Sequence, residues 1–547
     1  MLPLSIFLFA LLYLGYRFYA SYLGKLYSVK SGETVPSVEM RDNIDYVPTN
    51  KFVLLGHHFS SIAGAGPVVG PIIAAMAFGW LPAVIWIIIG SIFIGGLHDY
   101  SSLIISVRHK GKSIAEVANQ YINKRTYRIF LIFIWLALIY VVAVFADLTA
   151  VTFSNEPAVA EVSTIYLIVA VVFGFLMVKF RGKLATLTTG ALLTLLLFSV
   201  LSFKYQFLSL DKSSWVLILF IYCFAASILP VNLLLQPRDY LSSYLLYFSV
   251  LIGLVGLMFG RYPITYPAFI SFSSESLGGL FPFLFITIAC GAVSGFHALV
   301  ASGTTSKQID DINNGKFVGY GAMLLEGVVA IISIGIVMML APGDPALKGD
   351  PGSIFASGLG RFSALVGIDP QMGKTFGFLA ISAFMLTTLD TATRIARYVL
   401  QEILDKVRGG WTVKISATAA SLAVPLVLMN LRMHDAAGNV IPCWKMIWPL
   451  FGITNQLLAA LVLMIIYLWA GRNGVRNKAI ILVPALFMLV TTVTALVQSL
   501  TNYISAGNFT VVFYIALLLL ALSLVVVVEA LLAITRGPHP EGEKKLS

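Results

Sequence analysis

The sequence predicts an all-α, polytopic membrane protein with about fifteen transmembrane helices, counting windows of about 20 apolar residues that can each cross the hydrocarbon layer. Composition carries the class. Of 547 residues, 59% are hydrophobic and only 11% are charged, whereas a soluble domain is about 25% charged. The mean hydropathy is +0.91. Such a chain has too little polar surface to cover a globule in water. The second observation is where the charge falls. The 36 Lys and Arg exceed the 25 Asp and Glu, and they gather at the ends of apolar windows. In a soluble chain that excess would point to nucleic acid. Here it follows from the basic cytoplasmic loops of membrane proteins, and no nucleic-acid partner is expected. The cysteines, Cys223, Cys290 and Cys443, lie far apart without a C-x-x-C pair, which excludes a disulfide scaffold and a zinc ribbon.

In chain order the windows are 2–24, 56–78, 82–106, 128–153, 162–180, 184–203, 214–236, 239–260, 280–303, 317–341, 374–399, 413–431, 444–470, 478–500 and 511–535. The first is a span and not a cleavable signal, because no Lys or Arg precedes Arg17 and the apolar stretch is too long. Alternating connections then separate the basic residues. Lys25, Lys30, Arg41 and Lys51, the Arg108–Arg128 group, Lys179–Lys183, the Arg394–Lys414 group and Arg472–Lys478 all fall on one side. This predicts an outside N-terminus and a cytoplasmic C-terminus. Trp80, Trp215, Trp411 and Trp444 sit at window ends, where an interfacial aromatic belt belongs. Residues 110–125 are expected as a short amphipathic helix on the inner membrane face. Residues 342–373 are expected as a Gly/Pro-rich outer loop with a half-helix at 352–366, and 536–547 as a polar tail. The string GIDPQMGKT at 367–375 is not a phosphate loop, since its glycine spacing is one too long and no strand precedes it.

Three windows carry more than apolar bulk. The 56–78 window reads GHHFSSIAGAGPVVGPIIAAMAF. Pro67 and Pro71 lack the amide a continuous helix needs, and Gly64 and Gly66 loosen the same turn. The expected break exposes backbone that must line an enclosed cavity, with half-helix termini aimed at a carboxylate or a coupling cation. A close-packed glycine interface is the alternative. The 214–236 window contains SILPVN, so Ser227, Pro230 and Asn232 suggest a second broken helix. Its alternative is a simple proline kink. The 280–303 window offers a small-residue face with Gly291, Ser294, Gly295, His297, Ser302 and Thr304, suited to tight packing or to hydroxyl coordination of a cation.

Ionisable residues inside the windows are His57, His58, His98, Asp99, His297, Glu326, Asp390 and Arg394. Charge in hydrocarbon is expensive, so each needs a wet cavity or a partner. Asp390 and Arg394 are four apart on one helical face, so a mutual salt bridge and a gating pair both stay open. His98 and Asp99 diverge by about 100° around a helix and are not expected to pair. Asp99 has no basic partner in its own window before Arg108 and is favoured as the proton-carrying carboxylate, with His57 or His58 as relay.

The strings GHHFSSIAGAGPVVGP, GGLHDYSSL, LPVNLLLQPRDYL, CGAVSGFHALVASGTTSKQ, TTLDTATR and FGITNQLLA together resemble the carbon starvation protein (CstA) family, from about residue 25 to residue 470. The resemblance implies an inner-membrane protein associated with peptide uptake during nutrient limitation, or with pyruvate uptake as in some members. It also implies a five-plus-five inverted-repeat (LeuT/APC-like) transporter core, which suits two broken helices. The chain is shorter than many members.

These readings combine into a secondary active importer of small carboxylate-bearing nutrients, coupled to H⁺ or Na⁺, with no other cofactor, no resident metal and no catalytic residues. Residues 1–55 form an N-terminal peripheral helix and loop, 56–399 the ten-helix core, and 400–547 the peripheral C-terminal helices. Gly64, Ala65, Gly66, Ser227 and Asn232 are the candidate substrate contacts. His57, His58, Asp99, His297, Ser302, Asp390 and Arg394 are candidates for ion coupling or gating. Two other classes remain open: a membrane-embedded metalloenzyme, weakened by the lack of H-E-x-x-H, and a nutrient sensor that binds without transporting.

Overall fold

With few side chains able to satisfy backbone groups in lipid, the chain satisfies them within helices. The computed structural model describes residues 1–547 except 181–182, 232, 406–409, 435–439, 506, 508 and 537–547. Asn232 and most of the polar tail therefore lie outside the described residues. Among those described, 12 helices are long and apolar enough to cross a membrane, and a bent pair makes up to 13. Their outward faces are apolar, with Phe175, Leu196, Leu217 and Val483 among the exposed side chains. The protein is a multi-pass membrane protein.

The bent pair is Lys51–Ala63 and Gly66–Phe78, turned by 43°. Asn50 caps the first half by accepting from the Phe52 amide. Gly64 ends it at φ +49°, a left-handed conformation that side-chain-bearing residues resist. Pro67 then lies in the first turn of the second half, where its missing amide costs nothing, and Pro71 continues inside it. The freed backbone is satisfied by neighbours: Thr388 Oγ1 donates to the Ser61 carbonyl at 3.2 Å and Ser333 Oγ to that of Pro67 at 3.2 Å.

The second interruption is not at 214–236. That window is a helix, Lys212–Ile228, which ends before Pro230, and a separate span, Leu235–Phe259, begins just after it. Proline here punctuates a connection between two helices. The second break falls in the 280–303 window, as Leu280–Thr287 and Gly295–Gly303 with non-helical 288–294 between them. No proline marks it. Distant side chains hold the freed groups: Trp86 Nε1 donates to the Ile288 carbonyl at 3.0 Å, Gln456 Nε2 to that of Phe285 at 3.1 Å, and Asn455 Oδ1 accepts from the Phe296 amide at 3.0 Å.

Two smaller expectations change. Within 110–125 the helix is only Ile114–Ala118, and Ile114, Ala115, Val117 and Ala118 are all buried. It packs into the protein instead of lying on the membrane face. Trp215 is buried against Phe153 rather than sitting in an interfacial belt. The half-helix expected within 342–373 is present as Pro351–Ser363. In the GIDPQMGKT string, Asp369 caps the Pro370–Ile403 helix by accepting from the Gln371 and Met372 amides.

Candidate functional site

The two interruptions meet at a cavity of about 380 Å³, within the range of about 300–1,000 Å³ typical of ligand pockets. Gly64, Ala65 and Gly66 line it from the first break, and Ala289, Cys290 and Phe296 from the second. Phe145, Thr388, Phe451 and Asn455 close the sides, and no Asp, Glu, Lys or Arg is among its lining residues. The second half-helices, Gly66–Phe78 and Gly295–Gly303, both begin at this cavity. Helix N-termini carry a partial positive charge, so the wall favours an anion without any cationic side chain, although Pro67 has no amide and the Phe296 amide is already bonded to Asn455. Glycine at 66 is a steric requirement: a Cβ there would stand 2.5 Å from Cys290 Cβ and Sγ.

Ser227 is not part of this wall. Its hydroxyl pairs with Thr418 at 3.2 Å on the far helix Trp411–Asn430, which follows from Lys212–Ile228 being an intact helix. Ser302 is also occupied structurally: it donates to the Ala298 carbonyl at 2.6 Å and accepts from the Ile114 amide at 3.0 Å, capping the short helix.

Next to the cavity lie two buried ionisable clusters. In the first, Asp99 accepts from His98 Nδ1 at 2.8 Å through one oxygen and from His297 Nδ1 at 2.8 Å through the other. His98 and Asp99 do pair, because Nδ1 is the ring nitrogen nearer the backbone and reaches sideways to the adjacent short carboxylate. On its other side His297 faces Glu326, with Nε2 3.1 Å from Oε2. All four side chains are fully buried. The relay expected from His57 or His58 to Asp99 is not formed: His58 Nδ1 contacts Thr305 Oγ1 at 2.8 Å, and His57 belongs to the second cluster.

There, His57 Nδ1 donates to Asp239 Oδ2 at 2.5 Å. Asp239 also accepts from Arg238, whose Nη1 reaches Asp390 Oδ2 at 2.7 Å and donates to the Tyr222 hydroxyl at 2.7 Å. Tyr222 donates in turn to Asp390. Gln308 Nε2 approaches His57 Nε2 at 3.4 Å. Two carboxylates therefore share one guanidinium, and the His57 imidazole bonds to one of them.

The Asp390–Arg394 salt bridge is absent. Arg394 turns away to Asp45, at 2.9 Å, and to the carbonyls of Ala226, at 2.6 Å, and Leu229. Tyr398 also donates to Asp45 at 2.6 Å, and Lys307 lies over the Tyr398 ring at 4.0 Å. Asp45 sits in the connection before Lys51. Burial alone would raise its carboxyl, but Arg394, Arg397 and Lys307 outweigh that and hold it well below the usual carboxylate range.

Sequence reasoning left out Arg238, Asp239, Tyr222 and Asp45. The signal for the first two was the Arg-Asp pair at the very start of a span, read there as a boundary. Nothing local marks Asp45, whose partners are some 350 residues away.

The family described as carbon starvation protein CstA matches residues 2–348 and 345–495. The peptide transporter CstA of Campylobacter jejuni is 31% identical over 564 residues, covering 90% of this chain and 79% of that protein. The pyruvate/proton symporter BtsT of Escherichia coli is 30% identical over 572 residues, with 88% and 79% covered. Among solved structures, a manganese transporter from Eremococcus coleocola superposes with a TM-score of 0.52 at 11% identity, over 91% of this chain and 99% of that one. At that identity the likeness is one of fold alone.

Proposed function

The chain belongs to the carbon starvation protein CstA family, and from that premise we propose that it is a secondary active importer of small carboxylate-bearing nutrients, peptides or pyruvate, driven by a proton gradient. One observation carries the reading: a cavity at the meeting of two interrupted spans, faced by two helix N-termini and free of charged side chains. Such a wall suits a carboxylate, which the two helix dipoles favour. Its four phenylalanines, Phe145, Phe283, Phe296 and Phe451, suit the apolar remainder of the substrate. The names of the relatives, a peptide transporter and a pyruvate/proton symporter, agree with both substrate classes and with H⁺ over Na⁺.

Coupling is assigned to the His57–Asp239–Arg238–Asp390 cluster. It is a buried, connected set of ionisable groups, and His57 ties it to the half-helix that leads into the first interruption. A five-plus-five inverted repeat stays part of the proposal on the family resemblance; six long helices separate the interruptions at 64–65 and 288–294, so their spacing does not itself supply the repeat. We place the protein in the inner membrane, N-terminus outside and C-terminus cytoplasmic, serving uptake when carbon is scarce. The test is uptake of labelled pyruvate and of dipeptides into proteoliposomes under separate H⁺ and Na⁺ gradients. Accumulation with H⁺ is expected. Accumulation with Na⁺ alone would move coupling away from His57, and saturable binding without uptake would make the protein a sensor.

A further inference from the structure

From the first cluster we infer a binding site for one divalent transition-metal ion of the zinc type, held by Cys290, His297 and Glu326. Their ligand atoms all lie within 4.8 Å of one another. Nδ1 of His297 is committed to Asp99 at 2.8 Å, and a carboxylate accepts there only from N–H. Nε2 therefore presents a lone pair. The atom it faces, Glu326 Oε2 at 3.1 Å, is an acceptor as well. Neither Glu326 oxygen has a hydrogen-bond partner, although both are buried, while the Ile62 carbonyl also lies close to the His297 ring. Two buried polar atoms so close need a cation or a proton between them. A shared proton would require the two atoms to point at one another along a hydrogen bond, and their geometry does not satisfy one. They converge instead beside Cys290, whose sulfur is the third donor.

The donor set selects the ion. Thiolate, imidazole and carboxylate together are zinc ligands, whereas Na⁺, Mg²⁺ and Ca²⁺ prefer all-oxygen shells. The surroundings match too. A carboxylate on the far nitrogen of a ligating histidine fixes its tautomer and raises its basicity, and Asp99, itself steadied by His98, occupies that position. Ligands on a tetrahedral ion with bonds of about 2.0–2.3 Å stand about 3.5 Å apart. The 4.8 Å spread thus asks for a closing shift of about 1 Å. Cys290 lies in the non-helical 288–294 stretch, where a small shift breaks no helical hydrogen bond. The cysteine proton leaves to solvent on binding. The ion would tie both sides of the second interruption to the Gly321–Met338 helix that carries Glu326, and three protein ligands leave a fourth position open. The site stands whether or not the chain is an importer.

Purified full-length protein, stripped with chelator and reloaded with Co²⁺ alone, tests this. One Co²⁺ per chain is expected, with a thiolate-to-cobalt charge-transfer band. Cys290→Ser should abolish the band, whereas Cys223→Ser and Cys443→Ser should keep it. Cys290→His should keep the stoichiometry without the band, which separates loss of a ligand from loss of the fold. Asp99→Asn should weaken Co²⁺ binding about 10–100-fold, as for other carboxylates behind ligating histidines. Failure of wild-type protein to take up stoichiometric Co²⁺ or Zn²⁺ would overturn the site. So would binding unchanged in both His297→Ala and Glu326→Gln.

Discussion

Arg238 and Asp390 form a buried ion pair at 2.7 Å, joining helices whose paired residues are 152 positions apart in sequence. The arginine one turn from Asp390, Arg394, serves Asp45 instead. This choice of partners fixes what each charge does. Asp390 belongs to the membrane-buried cluster with His57, and Arg394 anchors the loop that leads into the first interrupted span.

Breaking the buried pair from one side leaves an uncompensated charge. Arg238→Met strands two carboxylates, Asp239 and Asp390, and should lower unfolding stability by about 3–5 kcal/mol. Asp390→Asn, which keeps a group able to accept from Tyr222, should cost less. Thermal unfolding in detergent measures both, and equal losses would refute the shared-arginine arrangement.

Gly66→Val should abolish uptake while the protein still accumulates in the membrane at near wild-type levels. The reason is contact with Cys290, not backbone conformation. The left-handed position is Gly64, where alanine should cost about 1–2 kcal/mol of stability. Uptake assays and melts on the two variants separate the effects, and normal transport by Gly66→Val would remove the cavity from the transport path.

Asp239→Asn should uncouple the importer. Removing one carboxylate leaves Arg238 balanced by Asp390 alone and takes the anionic partner away from His57. Counterflow of labelled against unlabelled substrate should survive, and accumulation driven by a pH gradient should disappear. Retained accumulation would send the search for the coupling group elsewhere.

Asp45 gives a pH dependence of known sign. Its carboxyl is held low in the folded state, so its contribution is present above the unfolded carboxylate range, about pH 3.9, and is lost as pH falls further. Asp45→Asn should therefore melt below wild type at neutral pH, with the gap narrowing on acidification towards pH about 3. A constant gap would show that Asp45 does not bind its cations as an anion.

Asn455→Ala removes the side chain that accepts from the Phe296 amide and contacts Ser294. By analogy with helix N-caps it should cost about 1 kcal/mol of stability. Because the capped terminus faces the cavity, the apparent KM for substrate should rise more than maximal uptake falls. An unchanged KM would place the substrate away from that half-helix.

Of about fifteen expected spans, 12, or 13 with the bent pair, stand among the described residues as helices long and apolar enough to cross; these were legible because a bilayer imposes a length and an apolar composition that any window can be tested against. The first interruption was legible for a local reason too: glycine and proline cannot sustain the helix at 64–67. The second was misplaced because Pro230 is conspicuous, whereas 288–294 contains no residue that forbids a helix. What opens it is hydrogen bonding from Trp86, Asn455 and Gln456, distant in sequence. The same holds for partners. The i, i+4 rule offered Arg394 to Asp390 correctly as a neighbour, but a helix surface cannot reveal that Arg238 on another span outcompetes it. Gly64, Ala65 and Gly66 reached the cavity, whereas Ser227 did not, because its place there depended on the wrong break.

The Arg238–Asp390 pair also sets an order of events during synthesis. Arg238 is made 152 residues before Asp390, which at ribosomal rates of about 5–20 residues per second means roughly 8–30 s before its second partner exists. A lone arginine would resist entering the bilayer for that whole interval. Asp239, adjacent to it and already bonded to the same guanidinium, lets the helix insert as a nearly neutral unit. The final pairing then waits for the Pro370–Ile403 helix to arrive, so a ribosome stalled between the two should leave a nascent chain that is inserted but not yet locked.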